Sequence, residues 1–241
     1  MNIKQTRLFT RPIAHRGLHT EEAPENSLLA FQKAMEKDFP IEIDIRCIDD
    51  GTVIVFHDDT LGRLTGADGY ASNLRAQDLP RLHLLGTEQT VPTLEQVLAL
   101  VNGRVPLLIE TKVTGKVGPL ESKAIELLKG YNGEFAMQSF DPYSMEYFRK
   151  HEPDFLRGQL SSLAPGNGLS LFKRNALAHL KVTRISDPHF ISYRFNDLPN
   201  KYVTKKELPT LAWTVRSNAD HQKVKAHCDN IIFERFLPEN E

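Results

Sequence analysis

Short apolar runs alternate with amphipathic stretches along the whole chain. Eight of these runs have the length and apolar content of strands that are buried on both faces. The predicted strands are residues 12–15, 41–47, 106–110, 134–140, 156–160, 181–186, 209–215 and 230–234. A regular alternation of strand and helix is typical of a parallel sheet covered by helices. Eight such units in one domain favour an α/β fold that closes into a (β/α)8 barrel of the TIM type.

The amphipathic stretches start at residues that commonly cap helices. Asn26 and Ser27 are candidate N-caps of the helix that follows the first predicted strand. Thr93 and Gln96 have the spacing of a capping box. Asp141 precedes a proline, which is favoured at the first helical position. We therefore expect helices to begin at these places and to pack their apolar stripes on the sheet.

One segment departs from the alternation. The Asp-Gly pair at 50–51 separates the second predicted strand from another β-rich run, residues 52–57, and this pair is typical of a two-residue hairpin turn. Such a turn would place Asp44 opposite His57, on the same face of the hairpin. Residues 58–91 would then form a small insertion after the hairpin extension of the second strand.

Composition and charge narrow the function classes. The 241 residues are 40% hydrophobic and 25% charged, with a formal net charge of -1, and we expect residues 1–241 to form one barrel domain. Acidic and basic residues are interspersed, which argues against nucleic acid as a partner and against stable membrane association. The two cysteines are too few for a disulfide framework, and no apolar segment resembles a signal peptide, so we expect a cytoplasmic location. The oligomeric state stays open.

Charged side chains lie at or near the C-terminal ends of three predicted strands, although strands buried on both faces are otherwise apolar. These residues are His15, Arg16, Glu42, Asp44, Glu110 and Lys112. In α/β barrels the C-terminal ends of the strands carry the active site. The pattern therefore indicates chemistry at this end of the barrel.

Three of these side chains are carboxylates that the predicted strands bring together. Glu42 and Asp44 are two residues apart on one strand face, and Glu110 comes from the next barrel strand. Clustered carboxylates repel one another unless a cation neutralises them, and oxygen ligands favour Mg²⁺ or Ca²⁺. The sequence predicts a divalent metal site, and the alternative is a set of ion pairs with neighbouring basic residues.

Two histidines and two fixed positive charges accompany the carboxylates. His15 and His57 can exchange protons near neutral pH, which suits a general base and a general acid. Arg16 and Lys112 can bind phosphate oxygens and stabilise the negative charge of a transition state. This combination of residues points to phosphoryl transfer.

A series of motifs resembles the glycerophosphodiester phosphodiesterase family, within the superfamily of phosphodiesterases that are similar to phosphatidylinositol phospholipase C. The most specific motifs are Ile-Ala-His-Arg-Gly and Ala-Pro-Glu-Asn-Ser, followed by Glu-Ile-Asp and His-Asp-Asp-Thr-Leu. The matching stretches are residues 13–17, 23–27, 42–44, 50–51, 57–61, 92–94, 109–112, 138–140 and 213–215. They span nearly the whole chain in the order of the family.

The resemblance implies an enzyme of lipid and glycerol metabolism, which uses a divalent metal to hydrolyse small glycerophosphodiesters to glycerol 3-phosphate and an alcohol. It also implies roles for matching residues. His15 and His57 match the catalytic histidines, the three carboxylates match the metal ligands, and Arg16 and Lys112 match the phosphate contacts. Three further positions match the substrate site: Glu25, Phe140 and Trp213. Glu25 is equally well interpreted as a helix-entry residue, and the two aromatic residues as core residues.

Three positions depart from the family pattern: Gly62, Arg216 and Glu234. The family often has Asp, Asn and Asp there, and the departures bear on substrate preference. We interpret Arg216 as a solvated surface residue, with contact to a charged headgroup as the alternative.

Two other functions remain open from the sequence. A lysophospholipase D would share the chemistry but act on single-chain lipids, and Leu79, Leu82, Leu84 and Leu85 of the insertion would form its apolar rim. We favour the interpretation that these leucines pack the insertion onto the barrel. A non-catalytic barrel that binds a phosphate metabolite is the third possibility. The sequence also leaves open whether water or a neighbouring substrate hydroxyl attacks phosphorus.

Overall fold

The computed structural model describes residues 3–164 and 170–238. Its strands are β1 Ile13–Ala14, β2 Ile41–Cys47, β3 Val53–Val55, β4 Leu107–Thr111, β5 Phe135–Ser139, β6 Leu156–Ser161, β7 Phe190–Arg194, β8 Thr210–Val215 and β9 Asn230–Phe233. Its α-helices are α1 Arg7–Thr10, α2 Leu28–Glu36, α3 Gly62–Thr65, α4 Leu94–Val101, α5 Pro119–Leu128, α6 Pro142–His151, α7 Leu171–Ala178, α8 Thr183–Ser186, α9 Lys201–Thr204 and α10 Asn218–Val224. Short 3-10 helices cover Ile3–Gln5, Ala71–Asn73, Ala76–Arg81, Phe195–Asp197 and Lys225–His227.

The strand order confirms the prediction of an eight-stranded α/β barrel. One sheet has the order β1-β9-β8-β7-β6-β5-β4-β2-β3, and β1 also pairs with β2, which closes the parallel strands into a barrel and leaves β3 outside it. By contacts the chain divides into two compact units, residues 14–135 and residues 1–13 with 136–241. No helix among the described residues is long and apolar enough to cross a membrane.

In the unit formed by residues 14–135, β2 is the central strand. It pairs in parallel with β1 and β4 and antiparallel with β3. Ile41, Ile43 and Ile45 alternate along β2 and are fully buried. In the same unit, α4 begins as predicted, because Thr93 and Gln96 form its capping box. Pairing on both edges fixes the direction in which each side chain of β2 points.

In the other unit, β5 to β9 run parallel in chain order. Asp141 caps α6 as predicted, since its side chain accepts a hydrogen bond from the Tyr143 N–H. The N-terminal segment is tied to β9 by the side chain of Asn230, whose Nδ2 donates to the carbonyls of Leu8 at 2.8 Å and Arg11 at 2.5 Å.

The predicted strand at 181–186 is wrong. Residues Thr183–Ser186 form a helical turn, and the strand lies further along at Phe190–Arg194. Within 181–186, Lys181 and Arg184 are exposed, whereas β7 presents four consecutive buried residues. A barrel strand must be buried on both faces, so burial favours the later segment. Asp187, with a left-handed backbone, ends the helical turn before this strand begins.

The hairpin forms at the predicted place, but its predicted register is wrong. Arg46 pairs with Ile54 and Ile45 with Val55, so Asp44 lies opposite the position of Phe56 rather than His57. The turn has one more residue than a two-residue turn, because the N–H of Ile48 donates to the carbonyl of Thr52 at 3.0 Å. Gly51 takes the left-handed conformation that such a longer turn needs, with φ of 85°.

The segment between β3 and α4 packs around its own apolar cluster. The buried members are Ile48, Ile54, Phe56, Leu61, Leu64, Ala71, Leu74, Leu79, Leu84 and Val91, with Leu82 partly buried. Leu85 is 54% exposed. The two ends of the segment meet, because the Val55 N–H donates to the Pro92 carbonyl at 2.8 Å. Leu79, Leu82 and Leu84 therefore agree with the interpretation that the leucines of the insertion serve in packing and not as an apolar rim. Leu85 is the exception.

Candidate active site

The loop after β1 places two of the predicted site residues. β1 ends at Ala14, and both Arg16 and Gly17 have left-handed backbone angles, with φ of 55° and 81°. A Cβ on Gly17 would lie 2.9 Å from the backbone of Ala30, so glycine is required for the close approach of α2. The turn directs the Arg16 backbone N–H to Glu42 Oε2, at 3.1 Å. His15 Nε2 lies 4.0 Å from the same carboxylate oxygen.

Glu42, Asp44 and Glu110 form a buried carboxylate cluster. Asp44 and Glu110 are register partners on the parallel strands β2 and β4, and Glu42 lies on the same face of β2. One ligand oxygen from each lies within 4.8 Å of the others. The three residues are 1%, 0% and 7% exposed. The structure thus brings the predicted metal ligands together.

Two cations border the carboxylate cluster. Arg16 Nε lies 3.1 Å from Asp44 Oδ2, and Lys112 Nζ lies 3.1 Å from Asp44 Oδ1. Lys112 also forms a short ion pair with Glu110. The alternative interpretation of local ion pairs is therefore correct in part, but two cations face three carboxylates. If all three carboxylates were ionised, the cluster would carry an excess of negative charge in a buried place.

Burial and mutual repulsion determine the protonation of the cluster. Burial raises the pKa of Glu42 well above its usual value, and the carboxylates of Asp44 and Glu110 add to this rise. Burial also opposes ionisation of Asp44, but Lys112 and Arg16 outweigh it and hold the pKa of Asp44 well below its usual value. For Glu110, burial raises the pKa more than Lys112 lowers it. Two of the three carboxylates therefore lack sufficient compensation as anions.

A divalent cation fits this donor set. All three groups offer hard oxygen ligands, as Mg²⁺ and Ca²⁺ prefer. Asp44 Oδ1 is buried, and among the described residues no donor is aligned to hydrogen-bond it, although Lys112 Nζ is close. A cation would supply both the missing partner and the missing positive charge.

Asn26 is a site residue that the sequence analysis interpreted differently. It is 1% exposed, and its Nδ2 donates to Asp44 Oδ2 at 2.9 Å. Ser27 alone caps α2, by accepting from the Ala30 N–H. A left-handed backbone, with φ of 58°, frees the Asn26 side chain to turn toward β2. The Pro-Glu-Asn motif was the only signal for this role in the sequence.

His57 follows β3 and is held from two sides. Arg46 Nη2 donates to the His57 carbonyl at 2.6 Å, and Asp58 Oδ1 lies 2.7 Å from His57 Nδ1. Burial lowers the pKa of His57, and Lys112 and Arg16 lower it further, against the opposing charge of Asp44. The charges of the cluster therefore act on His57, although His57 is not paired with Asp44 across the hairpin as the sequence predicted.

Glu25 lies against the site rather than serving only at the entry of a helix. Its Oε1 accepts a hydrogen bond from Arg16 Nη1, which the structure places at 2.5 Å. Arg63 also binds both oxygens of Glu25, and these two arginines hold the pKa of Glu25 below its usual value although burial opposes this. The sequence analysis did not single out Arg63.

Phe140 and Trp213 belong to the unit that contains β5 to β9. Phe140 follows β5 and Trp213 lies within β8, and both are half-buried. Their ring centroids are 5.6 Å apart in an edge-to-face arrangement. Their role as walls of a substrate pocket stays a prediction.

Residues 15–236 match the model of the glycerophosphoryl diester phosphodiesterase family. The chain belongs to this family. Because the family and its named members are phosphoric diester hydrolases, the predictions of family and of an enzyme are confirmed, and a non-catalytic barrel is no longer needed.

The similar proteins cover between about half and nearly all of this family member. A glycerophosphodiester phosphodiesterase of Caldanaerobacter subterraneus subsp. tengcongensis is 30% identical over 237 residues, covering 92% of this chain and 93% of the relative. Lysophospholipase D GDPD1 of Homo sapiens is 31% identical over 144 residues, covering 54% of this chain and 45% of the relative. An Oleispira antarctica phosphodiesterase, solved in complex with the product sn-glycerol-3-phosphate, has a TM-score of 0.80 at 22% identity, with 95% of each chain covered. This last likeness shows the fold.

Two departures from the family pattern contact each other. Arg216, just after β8, places Nε 2.6 Å from Oε1 of Glu234, just after β9. The Arg216 side chain is 51% exposed and that of Glu234 is 7% exposed. Arg216 is thus an ion-pair partner and not only a solvated surface residue.

Proposed function

We propose that this phosphodiesterase hydrolyses small glycerophosphodiesters to glycerol 3-phosphate and an alcohol, with a divalent metal and two histidines. The observation that carries the proposal is the buried cluster of three carboxylates, whose ligand oxygens lie within 4.8 Å of one another beside two cations. We further propose that the whole chain acts as a single domain and that Mg²⁺ or Ca²⁺ is the metal.

Glu42, Asp44 and Glu110 would hold the metal. When bound, a divalent cation neutralises their charge and polarises the phosphoryl oxygens of the substrate. Asn26 helps to keep Asp44 in place through its hydrogen bond to Oδ2. The ligand set is therefore held by two barrel strands and one loop residue.

Arg16 and Lys112 would bind the phosphate. Both are anchored by the carboxylates beside them, so their positive charges are fixed before a substrate arrives. Fixed charges stabilise a developing negative charge without having to reorganise. The ion pairs also keep both cations charged, since they raise the pKa of each above its usual value despite burial.

His15 and His57 would share the proton transfers. One takes a proton from the nucleophile and the other gives a proton to the leaving alkoxide. The family resemblance assigns the base to His15. The contact of Asp58 with Nδ1 of His57 leaves Nε2 as the nitrogen that faces a substrate, and it would stabilise a protonated ring.

The metal is tested first. Chelation should abolish turnover of a glycerophosphodiester, and added Mg²⁺ or Ca²⁺ should restore it, with both products identified. A matched variant is Asp44→Asn, which removes a charged ligand and should raise the cation concentration needed for half-maximal rate. Full activity in excess chelator, after the metal content has been measured as zero, would contradict the metal assignment.

A lysophospholipase D is the second candidate, favoured by two strongly exposed apolar side chains that are adjacent in the sequence. Leu171 and Phe172, at the start of α7, are 81% and 83% exposed. Adjacent exposed apolar side chains offer a contact surface for the chain of a lysolipid. Comparing the rates on glycerophosphoethanolamine and on a lysolipid decides between the candidates, and we expect the soluble diester to be preferred.

A further inference from the structure

One arginine outside the proposed catalytic set binds two carboxylates that contact proposed site residues. Arg63 lies on α3, in the segment between β3 and α4. Its Nη1 and Nη2 donate to Glu25 at 2.7 and 2.8 Å, and its Nε and Nη2 donate to Asp58 at 2.6 and 2.9 Å. Each carboxylate also contacts a proposed site residue: Glu25 contacts Arg16, and Asp58 contacts His57.

The geometry differs from that of an ordinary surface ion pair. The Arg63 side chain is 48% exposed, but its two acidic partners are only 14% and 19% exposed. Both partners accept in a fork, which only a planar guanidinium can match. Without Arg63, Glu25 and Asp58 would be two neighbouring carboxylates free to rotate away from the groups that they orient.

The fold itself depends little on the charged end of Arg63. Leu61, which precedes its short helix, and Leu64, which lies within the helix, are 3% and 1% exposed and belong to the apolar cluster of the segment. These apolar contacts anchor the segment independently of the guanidinium. The contacts of Arg63 are therefore available for a role in orientation.

We propose that Arg63 is a positioning residue, which holds Asp58 against Nδ1 of His57 and Glu25 against Arg16 so that both face the substrate in a fixed orientation. This inference rests on the proposed roles of His57 and Arg16. An acceptor on Nδ1 keeps the proton of a neutral imidazole there and leaves Nε2 available for transfer to or from the substrate. Outer contacts of this kind commonly change activity about 10- to 100-fold.

The test compares Arg63→Ala with Arg75→Ala. Arg75 lies in the same segment and also pairs with an aspartate, Asp49, but both side chains of that pair are more than half exposed, at 62% and 53%. We expect Arg63→Ala to lower kcat on a glycerophosphodiester about 10-fold or more, with a smaller change in KM. Arg75→Ala should leave both constants unchanged. Thermal unfolding of each variant measures whether the fold is intact.

Rescue separates orientation from a general structural role. Guanidinium ion, added far below unfolding concentrations, should restore part of the kcat of Arg63→Ala and should leave Arg75→Ala unchanged. Arg63→Lys keeps the charge without the fork and should recover only part of the rate. If Arg63→Ala unfolds non-cooperatively, Arg63→Lys takes its place in the test. In a His57→Ala background, the Arg63 substitution should cost less than in the wild type.

A wild-type kcat in Arg63→Ala, or a loss that guanidinium leaves unchanged, overturns the inference. If Arg63→Ala is fully active while His57→Ala is inactive, only the positioning role fails. If His57→Ala is as active as the wild type, the proposed mechanism fails, and the inference fails with it.

Discussion

Two strands of the protein, β2 and β7, are equally buried but use their buried polar positions differently. β2 alternates isoleucines with Glu42, Asp44 and Arg46, so one whole face of the strand is charged. β7 buries Phe190 to Tyr193, and the buried polar groups among them are neutral and hydrogen-bonded. Ser192 Oγ donates to Gln138 Oε1 at 2.7 Å, and Tyr193 Oη donates to the Ala178 carbonyl at 2.8 Å.

The difference shows which strand lowers the stability of the fold through its buried polar groups. The groups of β7 are satisfied by other groups of the protein, which stabilises the folded chain. The carboxylates of β2 are not fully compensated by protein cations, and an uncompensated buried charge destabilises the fold. We therefore expect substitutions on the face of β2 to affect chemistry, and those on β7 to affect stability.

The contrast between β2 and β7 would fail most clearly if His15 and His57 took no part in catalysis. His15→Ala and His57→Ala should each lower kcat on a natural diester by about 10²- to 10⁴-fold. A p-nitrophenyl phosphodiester has a good leaving group that needs no proton, so the variant that lacks the general acid should recover on it. We expect the recovering variant to be His57→Ala. Near-normal activity of both variants on natural diesters would leave the metal alone to carry the reaction.

The pH dependence of stability sharpens the comparison. Because burial and neighbouring carboxylates raise the pKa of Glu42 in the folded state, the folded protein binds that proton more tightly than the unfolded chain. The resulting stabilisation is complete below the ordinary glutamate pKa and is lost as pH rises through the folded value. In chelator, the free energy of unfolding should fall over this range in the wild type and fall less in Glu42→Gln.

Denaturant unfolding at a series of pH values measures this effect. A saturating divalent cation is the control, because it should remove most of the difference by stabilising the ionised carboxylates of the wild type. Parallel pH profiles of the two proteins in chelator would show that Glu42 is not destabilised as an anion.

The smallest effect is expected on β7. Tyr193→Phe removes the hydrogen bond to the Ala178 carbonyl and also the acceptor of the Asn200 side chain, at 3.3 Å. Leaving these buried groups unpaired should destabilise the fold by about 1–3 kcal/mol. The rate per folded molecule should stay unchanged, and a large fall in kcat would remove the distinction between the two strands.

The sequence was sufficient for β2 because its pattern is unambiguous. Isoleucines and carboxylates alternate with the period of a strand, and the predicted bounds match Ile41–Cys47. The carboxylate cluster followed from that pattern, since residues two apart share a face. The closed barrel followed from the number of units rather than from any one of them.

Elsewhere, burial and turn geometry decided what the sequence pattern could not. The run at 181–186 has strand-like residues, but only the later segment is buried along its length. One extra residue in the turn shifted the hairpin register, and a one-residue shift changes every cross-strand pair. Asn26 and Arg63 act through contacts that are distant in sequence, which no local periodicity records.

The hydrogen bond between Val55 and Pro92 makes the segment between β3 and α4 an exchangeable module. The N–H of Val55 bonds to the Pro92 carbonyl, and Ile54 forms a bridge with Thr93, so the chain leaves and re-enters the barrel scaffold at one point. A replacement segment of another length meets the same two anchors, and the entropy of closing a loop rises only slowly with its length. Segments from related enzymes are thus natural units for grafting, provided that they carry counterparts of His57 and Asp58 and an arginine able to bridge that aspartate and Glu25.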